Sequence, residues 1–189
     1  MPTFLLSKRS LLAATVAGAA LLAAGCGSSS DSGSSDATAT ATWADGLCTA
    51  ITTWQSSISA IADSLKGGSL TQDSLQSAAD DAKAATETFT SDLEGLGKPD
   101  TEAGQQAKES VDKLATDIKA DVTTIENTVA DASSVSGILK AVPTITSTLA
   151  TAGTQITGTV STLQGLDAKG EIKSAFTSAP SCDTLMGAG

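Results

Sequence analysis

The chain is predicted to be all-α: an up-down-up-down four-helix bundle with a short C-terminal helix, preceded by an apolar leader and a disordered tether. Three observations lead there. After residue 42 the apolar residues recur in steps of three and four, the spacing of one helix face. Clusters of Gly and Pro divide that pattern into segments of helical length. The composition offers no Tyr, three Phe and two Trp in 189 residues, so the core must be built from Ala, Val, Ile and Leu.

The first stripe is Trp43, Leu47, Ile51, Trp54, Ile58, Ile61 and Leu65, stopped by Lys66-Gly67-Gly68. The second starts near Thr71 and runs Leu75, Ala79, Ala82, Ala85 or Thr86, Phe89, Leu93 and Leu96, with Gly95-Leu96-Gly97-Lys98-Pro99 as its break. The third follows Asp100, the expected N-cap, through Ala107, Val111, Leu114, Ile118, Val122, Ile125 and Val129. The fourth is rich in Thr and holds Gly137, Pro143, Gly153 and Gly158, all poor for helix. Yet Val135, Val142, Leu149, Ile156 and Leu163 are spaced by sevens, with Ile138, Ile145 and Ala152 as the matching column. That heptad pattern marks a helix, expected to be interrupted or kinked at Pro143. A short helix around residues 167–177 follows. None of these stripes is stable alone, and short connections favour antiparallel neighbours. Ala and Gly on the second and fourth helices are expected to let backbones approach closely.

The N-terminus has a different character. Met1–Ser10 carries Lys8 and Arg9, and Leu11–Gly25 is uncharged and mostly apolar. As a helix that run spans about 22 Å, short of the roughly 30 Å hydrocarbon core of a bilayer. Residues 1–25 therefore read as a cleavable signal peptide. The end of the run, Leu22-Ala23-Ala24-Gly25-Cys26, resembles a lipobox, with Ala23 where a Leu is usual. The resemblance implies that the Cys26 thiol carries diacylglycerol and that the chain is cut just before it. Ser7-Lys8-Arg9-Ser10-Leu11-Leu12 resembles a twin-arginine export motif with Lys for the first Arg, though ordinary secretion is the default expectation.

Gly27–Thr42 reads GSSSDSGSSDATATAT. It has no large apolar side chain and is expected to be a flexible stalk, about 20–24 Å long on average. The expected organisation is thus a signal peptide over 1–25, the lipidated Cys26 and tether over 26–42, and a helical bundle domain over 43–189. Taken together, the LLAAGC ending, the Ser-rich tether and Trp43-Ala44-Asp45-Gly46-Leu47-Cys48 opening a helix, with Cys182 near the end, resemble small acidic Ala/Thr-rich helical lipoproteins of actinobacteria. That class implies no established activity. It places the chain on the extracytoplasmic face of the cell membrane.

Bundle topology bears directly on the two remaining cysteines. The start of the first helix and the end of the fourth lie at one end, which brings Cys48 and Cys182 together. An exported compartment is oxidising, so a Cys48–Cys182 disulfide is expected. A metal or redox pair would need further ligands or a C-x-x-C spacing.

The chemistry the sequence withholds is as informative. There is no His, which removes the usual Ser-His and Cys-His nucleophile systems and the commonest zinc ligand. No phosphate loop and no Gly-x-Gly-x-x-Gly occurs. Asp80 and Asp81 with Lys83, and Asp117 with Asp121, read as solvated helix faces; the last pair offers at most a weak site for a hard cation such as Ca²⁺. Trp54 is expected in the core rather than as a sugar-stacking ring. The formal net charge is −10, and losing Lys8 and Arg9 with the leader makes it more negative, so nucleic acid is not an expected partner. The functional expectation is a non-catalytic module without cofactor or metal, tethered to the membrane through Cys26 and binding an envelope protein or cell-wall component. The alternative is a ligand-binding or sensory bundle holding a small apolar or lipid molecule between its helices. A deep apolar cavity favours the second, a closed core with one exposed apolar patch the first.

Overall fold

The computed structural model describes residues 32–67, 70–166 and 168–186. Cys26, the signal segment and the first residues of the expected tether lie outside them. All regular structure among the described residues is helical. It comprises α1 (Ser32–Gly67), α2 (Gln72–Leu96), α3 (Gly104–Ala130), α4 (Val135–Gly165), α5 (Glu171–Ser178) and α6 (Pro180–Met186). The four long helices pack in sequence, α1 on α2, α2 on α3 and α3 on α4, which is the predicted all-α four-helix bundle.

Local chemistry sets most boundaries. Thr71 caps α2: its hydroxyl accepts from the Ser74 amide at 3.1 Å while the Ser74 hydroxyl accepts from the Thr71 amide at 2.9 Å, a reciprocal pair that satisfies two otherwise orphaned donors. Ser134 caps α4 through the Gly137 amide. The N-cap expected at Asp100 is not used. Residues 100–103 form a turn closed by the Gly104 amide on the Thr101 carbonyl at 3.0 Å, and α3 begins at Gly104 with no side-chain cap. Gly104 is required there, because a Cβ would stand 2.1 Å from the Pro99 carbonyl oxygen. Pro143 lies inside α4, which runs uninterrupted through it; the carbonyl that loses its partner belongs to Leu139, which is exposed and open to water.

The expected tether needs correction. α1 starts at Ser32 rather than near Trp43. Extending a helix that already exists costs no new nucleation, and Thr hydroxyls bond back to the preceding turn, Thr40 to the Asp36 carbonyl and Thr42 to that of Thr38. Thr40 is buried, at 2% exposure, so this part of α1 is packed rather than a free stalk.

α3 shows its predicted stripe buried from Ala107 to Val129, and Leu75, Ala79, Ala82, Thr86, Phe89 and Leu93 are buried on α2. Of the α4 glycines, Gly137 at the start of the helix approaches the Ala132 backbone, where a Cβ would stand 3.1 Å away, but those further along mediate no close contact. A Cβ at Gly153 or Gly158 would meet nothing within 4 Å. The close approach is at Gly46 of α1, where a Cβ would come within 2.6 Å of the Leu96 side chain.

One departure from the predicted bundle matters most. α1 and α4 do not pack along each other as the first and last helices of a closed ring do. Instead α5 and α6 lie against α1, with α5 also touching α4. Ile172 and Phe176 of α5 are fully buried, and Phe176 meets the Trp43 ring edge-on at 6.4 Å. At this end the two short helices fill the seam. At the other end nothing among the described residues fills it.

Candidate functional site

The core accordingly forms two clusters. The larger surrounds Trp43, Leu47, Ile51, Trp54, Phe89, Ile118, Ile156 and Phe176. The smaller, toward the α1–α2 and α3–α4 turns, holds Leu75, Ala79, Ile125, Val129, Ala132, Ile138 and Ala141, with Leu65, Ile145 and Leu149 only half covered. Between α1 and α4 at this second end lies a groove of about 240 Å³.

Its walls are almost wholly apolar. α1 contributes Ile58, Ile61, Ala62, Leu65 and Lys66. α2 contributes Leu75, Ala78, Ala79 and Ala82; α3 contributes Ile125 and Val129; α4 contributes Val142, Ile145, Thr146 and Leu149, and Leu70 stands at the mouth. Each helix presents these residues at three- and four-residue spacing, as the sequence stripes require. On the first and fourth helices, however, the predicted core residues Ile58, Ile61, Leu65, Val142, Ile145 and Leu149 are only half-buried, since α1 and α4 do not pack along each other. The small Ala78, Ala79 and Ala82 leave the depth of the groove open. An apolar cavity of about 150 Å³ is enough to hold benzene, so the available space suits a ligand of that size or larger.

One helical turn further in, beyond the lining residues, the bundle core is filled. Trp54 follows the line of Ile58, and Thr86 that of Ala82. The Trp54 indole donates to the Thr86 hydroxyl at 3.0 Å, and its ring lies on Phe89 at a centroid distance of 5.6 Å. Trp54 is thus a core residue, with its one polar atom satisfied. Around the mouth the surface is unusually apolar: Leu70 is 43% exposed, Val135 76% and Leu139 66%. Val135, Leu139 and Val142 follow at steps of four and three, so the exposed residues continue the α4 wall outward. The segment 132–166 contains no acidic residue; many carboxylates lie instead on α2 and α3, where Glu94 and Glu126 pair with Lys119 and Lys83.

The structure joins Cys48 to Cys182, with Cα atoms 5.1 Å apart and a sequence separation of 134. Cys48 is not one turn into α1, as expected, but near its middle, because the helix starts upstream. Cys182 lies on α6, the second of two short C-terminal helices where one was expected. Asp45 reinforces the junction by accepting from the Ser181 amide at 2.9 Å, and Thr49 donates to the Ser181 hydroxyl at 3.0 Å. Cys26, the expected lipidation site, lies outside the described residues.

The acidic candidates do not converge. Asp117 pairs with Lys113 one turn away. Burial pushes the Asp121 carboxyl up from its usual range, a hydrogen bond from Gln155 holds it down, and the Asp117 charge pushes it up again. Among the described residues no group of three His, Cys, Asp or Glu is placed to hold a metal ion, and no helix is long and apolar enough to cross a membrane. A second cavity, of about 310 Å³, lies between the N-terminal part of α1, the α2–α3 turn and α5. It mixes Asp36, Asp100, Glu171 and Lys169, and Lys169 already pairs with Glu102 at 2.9 Å.

The α1–α4 groove was not foreseen by residue. Its one signal in the sequence is the Ala-rich face of α2 opposite large residues on α1 and α4. No family profile, curated protein or solved structure matches this chain.

Proposed function

We propose that the protein is a non-catalytic binding module of the cell envelope, anchored to the extracytoplasmic face of the membrane through a lipid on Cys26, and that it carries an apolar ligand in the groove between α1 and α4. The observation that carries the reading is the groove itself. Two stripes that the sequence marks as core, Ile58–Leu65 and Val142–Leu149, line a shared apolar space and are only half-buried. Covering such surface is favourable by about 25 cal/mol per Å², and a ligand that fills the seam gains that without displacing protein contacts. The anchor rests on the lipobox resemblance, and the non-catalytic reading on the lack of His in the sequence and of a convergent nucleophile or acid–base set among the described residues.

The test is binding of an uncharged apolar fluorophore, N-phenyl-1-naphthylamine, to the purified chain, with mass spectrometry of whatever lipid co-purifies. Binding should be saturable and should be lost in Ala62→Phe, which places a ring in the groove from its α1 wall. No binding by the wild-type chain, or equal binding by the variant, would remove the reading.

A second reading has its own observation. Leu70, Val135 and Leu139 expose large apolar side chains at one end of the bundle, as a protein-docking surface does. On that reading the module engages an envelope protein there, and crosslinks from residues 135 and 139 in the native envelope should capture one partner reproducibly.

A further inference from the structure

We infer that the groove selects single-chain amphiphiles with an anionic head group, the alkyl chain lying between α1 and α4 and the head group on the Lys66 ammonium. The inference rests on the apolar-ligand reading and adds the chemical class of the ligand.

Among the described residues lining the groove, Lys66 alone is charged, and Thr146 is the one other side chain with a polar atom. Lys66 also occupies the right place. It is in the last turn of α1, beside Leu65 and Leu70 at the mouth, while Ile58 lies at the inner end. From Ile58 to Lys66 the α1 wall rises about 12 Å, with Val142 to Leu149 forming the facing wall on α4. A space this elongated, apolar along its length and cationic at one end, has the layout of a chain with one head group.

Lys66 is free to exchange partners. Its ion pair is with Asp63, three residues back on the same helix at 3.0 Å, and both side chains are largely exposed, at 76% and 72%. Such a pair is screened by water and weak. Elsewhere the surface discourages anions: the chain is acidic overall, and a carboxylate head group meets few sites without repulsion. The α4 wall is the exception, since 132–166 carries no acidic residue. Carboxylates also stand at this end of the bundle: Asp63, already the partner of Lys66, the exposed Asp73 in the first turn of α2 and Asp131 at the C-cap of α3. The last carbonyls of α1 concentrate partial negative charge at the same point, which makes anion binding there depend on Lys66.

The experiment is calorimetric titration of the intact chain with decanoate and with decanol, each below its aggregation concentration. Decyl phosphate in a parallel titration tells a carboxylate from a phosphate head group. Decanoate or decyl phosphate should bind more tightly than decanol by about two- to fivefold, the range of an exposed ion pair. K66Q should erase that preference, bringing the anions to the affinity the same variant shows for decanol, and D63N should strengthen the anions. Decanol binding as tightly as both anions, or K66Q leaving the preference intact, overturns the head-group assignment while the groove reading stands. Failure of all three ligands to bind overturns both.

Discussion

The Trp54 indole and the Thr86 hydroxyl, 3.0 Å apart across the α1–α2 interface, lie one helical turn beyond Ile58 and Ala82 of the groove lining. Below them the bundle is filled; above them α1 and α4 stand apart. Thr86→Val keeps the shape and leaves the indole N–H buried without an acceptor, which costs about 1–3 kcal/mol. Urea unfolding followed by circular dichroism should show a lower midpoint with unchanged slope. An unchanged midpoint would mean that the indole finds another acceptor, and the packing there would not be fixed by this bond.

The Cys48–Cys182 bond encloses a very long loop. The chain-entropy account gives up to about 4.7 kcal/mol for loops of this order, and loss of a native disulfide costs about 2–5 kcal/mol in small secreted domains. Mass spectrometry should find the pair oxidised in protein taken from the envelope. Reduction, or the double change to Ala, should lower the melting temperature while far-UV dichroism stays strongly helical, because the four stripes remain. Free thiols at both positions in envelope-derived protein would contradict the pairing.

Asp121 gives a pH dependence whose sign is set by burial. Its carboxyl is raised in the folded chain, so the folded state holds that proton more tightly than the unfolded one. Stability from this group therefore falls as pH rises from the unfolded carboxylate value through the folded one, and the penalty is complete above it. Asp121→Asn should melt higher than wild type at pH 7, with the advantage shrinking toward pH of about 3. Scanning calorimetry at the two pH values checks it; a variant less stable at pH 7 would show that the Gln155 contact outweighs desolvation.

For the anchor, metabolic labelling with a radioactive or clickable fatty acid should mark the wild-type chain and leave Cys26→Ser unmarked, with the variant released or kept as its uncut precursor. A wild-type chain that never takes up label would remove Cys26 from the argument and leave the groove untouched.

The helices were legible because their apolar spacing is a property of single segments. Val111, Leu114 and Ile118 are core wherever α3 packs, and Thr71 caps α2 through neighbours three residues away. The α1 extension escaped detection because Ser32–Thr42 has no apolar stripe; its order comes from continuing a helix that starts in the core, and from burial of Thr40. The groove escaped for a different reason. Ile58 and Val142 carry the same signature as Leu47 and Ile156, and the pattern says which face is apolar without saying whether another face arrives to meet it. That depends on where α5 and α6 settle: they lie against α1 at the far end of the bundle, and no periodicity links Ile172 and Phe176 to residue 58.

The junction of α6 with α1 also bears on the order in which the fold can be completed. Leu47, Cys48 and Ile51 belong to the first packed helix, yet their cover includes residues from Ile172 to Cys182. During synthesis the early stripe therefore waits, exposed, for a segment about a hundred and thirty positions later, a contact of high sequence separation that slows folding. A chain halted before α5 would hold its other helices but keep this stripe in water, open to aggregation or to a chaperone. Residues 171–186 act as the closing clasp of the molecule, and their arrival times its maturation.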